Sequence, residues 1–145
     1  MRVLLQKVKD AKVVIDEKTI AQIGRGLLAF VAFTDGDNEE KILWMTNKIA
    51  KLRIFPDQND KMNLNVKDIG GSILAVSQFT LYGETTSGNR PSFTKALEPR
   101  SASRLYQVFL DELSRTGIIV ESGVFGAHME VGIVNDGPVT ILLER

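Results

Sequence analysis

The sequence predicts a single α+β domain, a dominant antiparallel or mixed β-sheet carrying two main helices. Three observations carry this: short runs rich in β-branched residues at both ends of the chain, two internal stretches with apolar residues at helical spacing, and no repeat or linker composition across 145 residues. With 43% hydrophobic and 25% charged residues the composition is that of a soluble domain. A chain near this length buries roughly 68–70% of its unfolded surface, so it needs no covalent staple.

From Arg2 to Thr34 the pattern is β. Val3-Leu4-Leu5, Val13-Val14-Ile15 and Thr19 to Ile23 are short and apolar, and Asp16-Glu17-Lys18 reads as a hairpin loop between the last two. Gly24 and Gly26 precede Leu27 to Phe33, an unbroken apolar run expected to form a central strand buried on both faces. Asp37 with Glu40 is a variant of the capping box, and Ile42, Met45, Ile49 and Leu52 follow at helical spacing, predicting a helix from about Asn38 to Leu52 with Trp44 in the core. Phe55 to Gly71 reads as loop with an extended piece around Met62 to Val66. Ser72 to Phe79 is a strand and Thr85 to Pro91 an exposed polar loop. Ser101 caps a second helix with the stripe Leu105, Val108, Phe109 and Leu113, ended by Gly117. Ile118 to Ser122, Met129 to Asn135 and Val139 to Glu144 complete the strands.

The last two are separated by Asp136-Gly137-Pro138. Proline has no N–H to give a ladder, so it marks an edge, a strand start or a bulge. On local sequence alone this is a turn with a trans bond, since only about 5–6% of X–Pro bonds in folded proteins are cis.

Composition excludes several chemistries. There is no cysteine, hence no disulfide and no thiolate metal site, which suits a reducing cytoplasm. His128 is the only histidine, so no multi-histidine metal centre forms within one chain, although carboxylate-bound magnesium or calcium stays open. No metal site and no cofactor is assigned. The N-terminal stretch lacks the apolar length of a signal peptide, and no run of about 18 apolar residues occurs, so the expected location is the cytoplasm, off the membrane. Eighteen basic and eighteen acidic residues cancel, which argues against binding nucleic acid through a global field while leaving room for a local RNA-end site.

Conventional catalysts are scarce. A Ser-His-Asp arrangement would need His128, expected on a strand at the surface. No glycine-rich phosphate loop occurs. What remains is Ser77-Gln78-Phe79-Thr80-Leu81-Tyr82-Gly83, where the apolar strand Ile73 to Val76 runs into polar residues. Hydroxyls and free backbone N–H groups at a strand's end are the raw material of an anion hole, or merely caps.

Ser77-Gln78-Phe79-Thr80-Leu81, taken with Asn135-Asp136-Gly137-Pro138-Val139-Thr140, resembles the two signature motifs of the D-aminoacyl-tRNA deacylases. Met1 to Val8, Ile23 to Leu28, Leu52 to Phe55, Lys61 to Leu64, Arg90 to Phe93 and Gly123 to Ala127 resemble that family in the same order, so the likeness spans essentially the whole chain. Lys7 departs from the family's common arginine. If that residue braces the Gly-Pro segment, lysine keeps the charge but loses the planar fork.

The resemblance implies a barrel-like sheet and an enzyme that hydrolyses the ester between a D-amino acid and the 3′ end of tRNA. It implies a homodimer in which Gly137-Pro138 is cis and enters the partner's pocket, where two parallel carbonyls accept the substrate's ammonium and leave no room for an L side chain. Glycyl-tRNA, with no side chain to reject, would also be cleaved. The terminal ribose hydroxyl of the tRNA would activate water, with Ser77, Gln78, Phe79 and Thr80 forming the catalytic strand end. Phe125, Gly126, Ala127 and Met129 would line the pocket for the terminal adenosine or the aminoacyl group, although Phe125 and Met129 equally suit the core. Lys95, Arg90 and Arg104 are candidates for tRNA phosphates. Two other readings stay open: a tRNA- or nucleic-acid-binding module without hydrolytic activity, and a conventional esterase using Thr80 or Ser77 as nucleophile.

Overall fold

The computed structural model describes residues 1–145. The first strand, β1 (Arg2–Ile15), is long enough to serve two neighbourhoods. Its first half pairs antiparallel with β3 (Gly26–Ala32) and its second half with β2 (Lys18–Ile23), joined by a two-residue turn in which Asp16 and Glu17 both take positive φ. The sheet continues β3–β6–β7, where β6 (Ser72–Ser77) lies parallel to β3, and β7 (Ile119–Ser122) lies parallel to β6. Gly26 is required at the β3–β6 approach, because a Cβ there would sit 1.9 Å from the Ser72 carbonyl oxygen. β2 curls back against β6 and β7, and the mixed sheet is thereby nearly closed, as a barrel-like sheet should be.

Two cores follow from the alternation of β3. Leu27, Ala29 and Val31 face a cluster completed by Val3, Leu5, Ile73 and two helices. Leu28 faces the barrel interior with Val8, Val13, Ile23, Leu74 and Val76. The run is thus buried on both faces, as its lack of polar residues predicts.

Helix α1 (Glu39–Lys51) presents Ile42, Met45 and Ile49 to the first cluster. Its cap is Asn38, whose side chain accepts from the Lys41 N–H, and not Asp37. Asp37 is taken elsewhere: its carboxylate accepts from the N-terminal ammonium of Met1 at 2.7 Å, from the Thr34 N–H at 2.8 Å and from Lys41 Nζ at 3.3 Å. Trp44 is also not core. It lies off the apolar stripe, 38% exposed, with the Arg145 guanidinium 5.1 Å from its ring centroid.

Helix α2 (Pro99–Arg115) packs beside α1 through Leu105, Tyr106, Phe109 and Leu113. It starts earlier than expected, because Glu98 and not Ser101 is the cap, with Pro99 opening the first turn. Gly117, φ +80°, ends it as predicted. Between the helices, β4 (Phe55–Pro56) and β5 (Met62–Leu64) form a small separate hairpin. The strand β6 stops at Ser77, and Phe79–Tyr82 form a 3-10 turn in place of its expected last residues.

The largest correction concerns the C-terminus. The predicted pair of strands is one, β8 (Glu130–Glu144), running antiparallel to β1. Gln6 pairs with Thr140 and Val8 with Asn135, so the four residues Asp136 to Val139 stand opposite Lys7 alone. Asp136-Gly137-Pro138 is therefore an excursion within a strand, not a turn between two. The Gly137–Pro138 peptide is cis, where local residues predicted trans, and Gly137 has φ +125°.

Candidate active site

Parallel strands β3 and β6 end side by side, and a cleft of about 540 Å³ opens beyond them. Ser77, Gln78 and Phe79 form one wall. Across from them a turn holds the other: Val124 to Ala127 closes on an Ala127 N–H to Val124 carbonyl bond of 3.2 Å, with Gly126 at φ +76°, and Met129 follows before β8. Phe125, Gly126, Ala127 and Met129 all line the cleft. Phe125 and Met129 do so while also packing against the two cores, so each serves both structure and cleft. Phe125 leans on Tyr106 at 5.9 Å between centroids.

Sequence reasoning missed Phe93. It lines the cleft, 38% exposed, and meets Phe79 edge to face at 5.1 Å. An aromatic residue stranded in the otherwise polar stretch Glu84 to Lys95 was the available signal. Its loop is clipped in place: Glu84 and Ser92 exchange backbone hydrogen bonds, the Glu84 carboxylate accepts from Lys95 Nζ and from Thr86, and the Leu97 N–H reaches the Phe33 carbonyl at 2.9 Å. The Lys95 hydrogen bond, helped by Thr86, lowers the Glu84 carboxyl to about 2. Lys95 is thus occupied by Glu84, and Arg104 lies 3.8 Å from Glu39, while Arg90 has no ion pair.

Catalytic apparatus of the usual kind is absent from the walls. Glu98 lines the cleft, but its carboxylate accepts from the Ser101 and Arg100 N–H groups at the start of α2, and these bonds, Ser101 first, hold its pKa below the ordinary range. His128 lies in the cleft's rim outside any strand, not on one as expected, and makes no hydrogen bond within the chain. Thr80 stands just outside the cleft, exposed, and its hydroxyl accepts from the Gln78 amide at 2.5 Å. No base takes a proton from it, and the Ser77 hydroxyl has no partner in the chain. Donors are more plentiful: the 3-10 turn leaves the Phe79 and Thr80 N–H groups without an acceptor inside the turn, and the Gln78 side chain does not cap them.

Gly137 and Pro138 are the outliers. Both are exposed on β8, whose only strand partner is β1, and neither lines the cleft of its own chain. Lys7 reaches this segment: 7% exposed, it places Nζ 3.3 Å from the Asp136 carboxylate. Gln6 and Asn135 amides both donate to Thr140 Oγ1, at 3.3 and 3.1 Å, tying the far side of the excursion.

The family described as D-Tyr-tRNA(Tyr) deacylase matches residues 4–144, the whole chain but for three residues at one end and one at the other. The chain belongs to that family. Its relatives include the D-aminoacyl-tRNA deacylase of an Exiguobacterium species, 51% identical over 145 residues and covering 100% of this chain and 99% of that one. The corresponding protein of Thermotoga petrophila is 53% identical over 144 residues, covering 99% and 97%. That of Chloroherpeton thalassium is 54% identical over 145 residues, covering 99% and 95%. A solved structure described as the c-Myc DNA Unwinding Element Binding Protein superposes with a TM-score of 0.94 at 38% identity, covering 100% and 99%. One described as a probable eukaryotic D-amino acid tRNA deacylase does so with 0.85 at 20% identity, covering 98% and 97%, a likeness of fold. In this chain the Ser77-to-Leu81 and Asn135-to-Thr140 segments lie at the end of one parallel strand and on a bulge of the edge strand. A deacylase is a carboxylic-ester hydrolase, and that is the reaction class of the family.

Proposed function

We propose that the cleft hydrolyses the ester joining a D-amino acid to the 3′-terminal adenosine of tRNA, and that a second copy of the chain completes it. The observation that carries this reading is the split of the two family motifs: Ser77, Gln78 and Phe79 line the cleft, whereas Gly137 and Pro138 are exposed away from it. A homodimer that places the Gly137-Pro138 segment of one chain over the cleft of the other reunites them.

In the completed site the Gly137 and Pro138 carbonyl oxygens accept from the α-ammonium of the substrate and stand where an L side chain would go. The D side chain points away and is not gripped. Glycine presents nothing to reject, so glycyl-tRNA is hydrolysed as well. Phe79, Phe93 and Phe125 offer ring faces to the terminal adenine. Water adds to the ester carbonyl carbon, the developing oxyanion takes hydrogen bonds from the Phe79 and Thr80 N–H groups, and collapse breaks the bond to the ribose oxygen, which leaves with a proton. The neighbouring ribose hydroxyl of the tRNA takes a proton from the attacking water and hands its own to the departing ribose oxygen, since Glu98 is tied to the start of α2 and His128 stands exposed on the rim. Binding order and electrostatics then supply the acceleration. This chemistry belongs in the cytoplasm, where tRNA is charged.

The competing reading is a nucleic-acid-binding protein without hydrolysis, which the name of the neighbour at 38% identity favours. Purified protein separates the two by releasing D-tyrosine from D-tyrosyl-tRNA. The Ser77→Ala/Thr80→Ala double variant is expected to keep hydrolysis within about tenfold of the original, since no side-chain nucleophile acts. Loss of all turnover in that variant alone, with its fold intact by circular dichroism, would establish a conventional esterase. Intact D-tyrosyl-tRNA recovered from the original protein after hours would establish the binder.

A further inference from the structure

The chain carries no net charge, yet its charges are not evenly spread. An open groove along α1 is lined by Lys41, Lys48, Lys51, Arg53 and Arg145 with Glu40 as the only acid, and Trp44 stands in its middle. Lys41, Trp44, Lys48 and Lys51 fall at spacings of three, four and three, which is one face of a helix. From Lys41 to Lys51 that face runs for roughly 15 Å at about 1.5 Å per residue. Lys41 is held by Asp37, but Lys48, Lys51, Arg53 and Arg145 form no ion pair. Four unpaired cations and a half-exposed indole are costly to gather by accident, since like charges repel and a large aromatic loses burial.

A relay of side-chain contacts links the groove to the cleft wall. Phe79 lies on the cleft wall, and Leu81, two residues on, accepts a hydrogen bond from the Arg2 guanidinium at 2.9 Å. Arg2 pairs with Glu144, and the adjoining Arg145 stacks over Trp44. Contacts thus run from the strand end that faces the reacting ester to the basic face of α1. The groove and the strand end are thus tied to one run of contacts through Arg2.

We propose that the basic face of α1 docks the sugar-phosphate backbone of the tRNA beyond its 3′ end, with Trp44 as a stacking or wedge contact and Lys48, Lys51 and Arg53 as phosphate partners. This rests on the reading of the cleft as the site for the tRNA 3′ end. The occupant is RNA because the groove combines cations that track a polyanion with a flat aromatic face, and because its contact path leads into the cleft. The face adds affinity for the body of the tRNA and takes no part in breaking the ester.

Trp44 is the only tryptophan, so its fluorescence reports this face alone. Titration of the full chain with deacylated tRNA should change that fluorescence, with an affinity that falls steeply as salt rises. The Lys48→Glu/Lys51→Glu/Arg53→Glu variant should weaken binding at least about tenfold and flatten the salt slope by about one unit per lost phosphate contact. On D-tyrosyl-tRNA the same variant should raise KM by a similar factor with kcat within about twofold, while its rate on D-tyrosyl-adenosine, which has no RNA body, stays unchanged. The milder Lys48→Ala/Lys51→Ala/Arg53→Ala variant should shift the same way by less, which guards against a folding defect. A silent Trp44, or an unchanged KM for tRNA, overturns the proposal, as does an equal loss on D-tyrosyl-adenosine. Vesicles of one part phosphatidylserine to three parts phosphatidylcholine that quench Trp44 where tRNA does not would assign the face to a membrane and overturn it too. If neither substrate is cleaved by the original protein, the reading of the cleft fails, while tRNA-dependent quenching still decides the groove.

Discussion

Asp136→Ala should lower the rate on D-aminoacyl-tRNA by about tenfold to a hundredfold and narrow the preference for D over L. Asp136 is the residue before Gly137 and the only anion against Lys7, whose side chain is 9% exposed. Removing the carboxylate leaves a buried ammonium without a counter-charge. Breaking a fully buried pair costs about 3–5 kcal/mol, and because the Asp136 side chain is 32% exposed, screening reduces this to roughly 1–3 kcal/mol. The excursion Asp136 to Val139 relaxes to relieve it. A displacement of about 1 Å at a group that positions substrate is enough for about a hundredfold loss. Lys7→Arg, which keeps the charge and adds a planar fork that can meet both carboxylate oxygens, should retain the original rate within about twofold and so separate the brace from a general loss of stability. An Asp136→Ala variant with full rate and full selectivity would show that the segment needs no anchor.

Asp37→Ala should lower stability more than any other change at a charged residue of this chain. Its side chain is 0% exposed, and the carboxylate accepts from three donors: the part-buried Met1 ammonium, the Thr34 N–H and Lys41. Truncation leaves the Met1 ammonium with the Arg145 oxygen at 2.6 Å as its remaining partner and the Thr34 N–H with none, which reduces the cost of a fully stranded ion to about 2–4 kcal/mol, a fall in midpoint temperature of about 10 °C for a chain of this size. Asp37→Asn keeps an acceptor without the charge and should fall between. Thermal unfolding followed by circular dichroism at fixed protein concentration reads both. A shift within about 2 °C for Asp37→Ala would mean that the ammonium remains hydrated.

Asp37 also marks where sequence reading stops. Its place before a helical stripe suggested a cap, and the local rule could not know that the chain's first residue, 36 positions earlier, would arrive beside it. Trp44 failed for a similar reason: hydrophobicity placed it inside, but the helical phase set by Ile42, Met45 and Ile49 leaves it outside. Leu27 to Ala32 succeeded because a strand buried on both faces needs only an unbroken apolar run, which is a local property. The cleft was half legible. Ser77 to Thr80 stood out because polar residues end an apolar strand, whereas Phe125, Gly126, Ala127 and Met129 were named only through the family resemblance, since Phe125 and Met129 suit a core equally well. That strands β3 and β6 would be parallel neighbours, and so end on the same side, depends on a crossover that no local signal encodes. The Gly137-Pro138 pair was visible as an interruption, yet its form as four residues bulged opposite Lys7 requires knowing that β1 is its partner.

Paired deacylation of D-tyrosyl-tRNA and L-tyrosyl-tRNA by the purified protein bears most directly on the central claim, that a backbone corner selects chirality by exclusion. The D ester should be released at least about a hundredfold faster, which corresponds to about 2.7 kcal/mol of rejection, and glycyl-tRNA should side with the D ester. Equal rates for the D and L esters, or no release of either, would contradict the account.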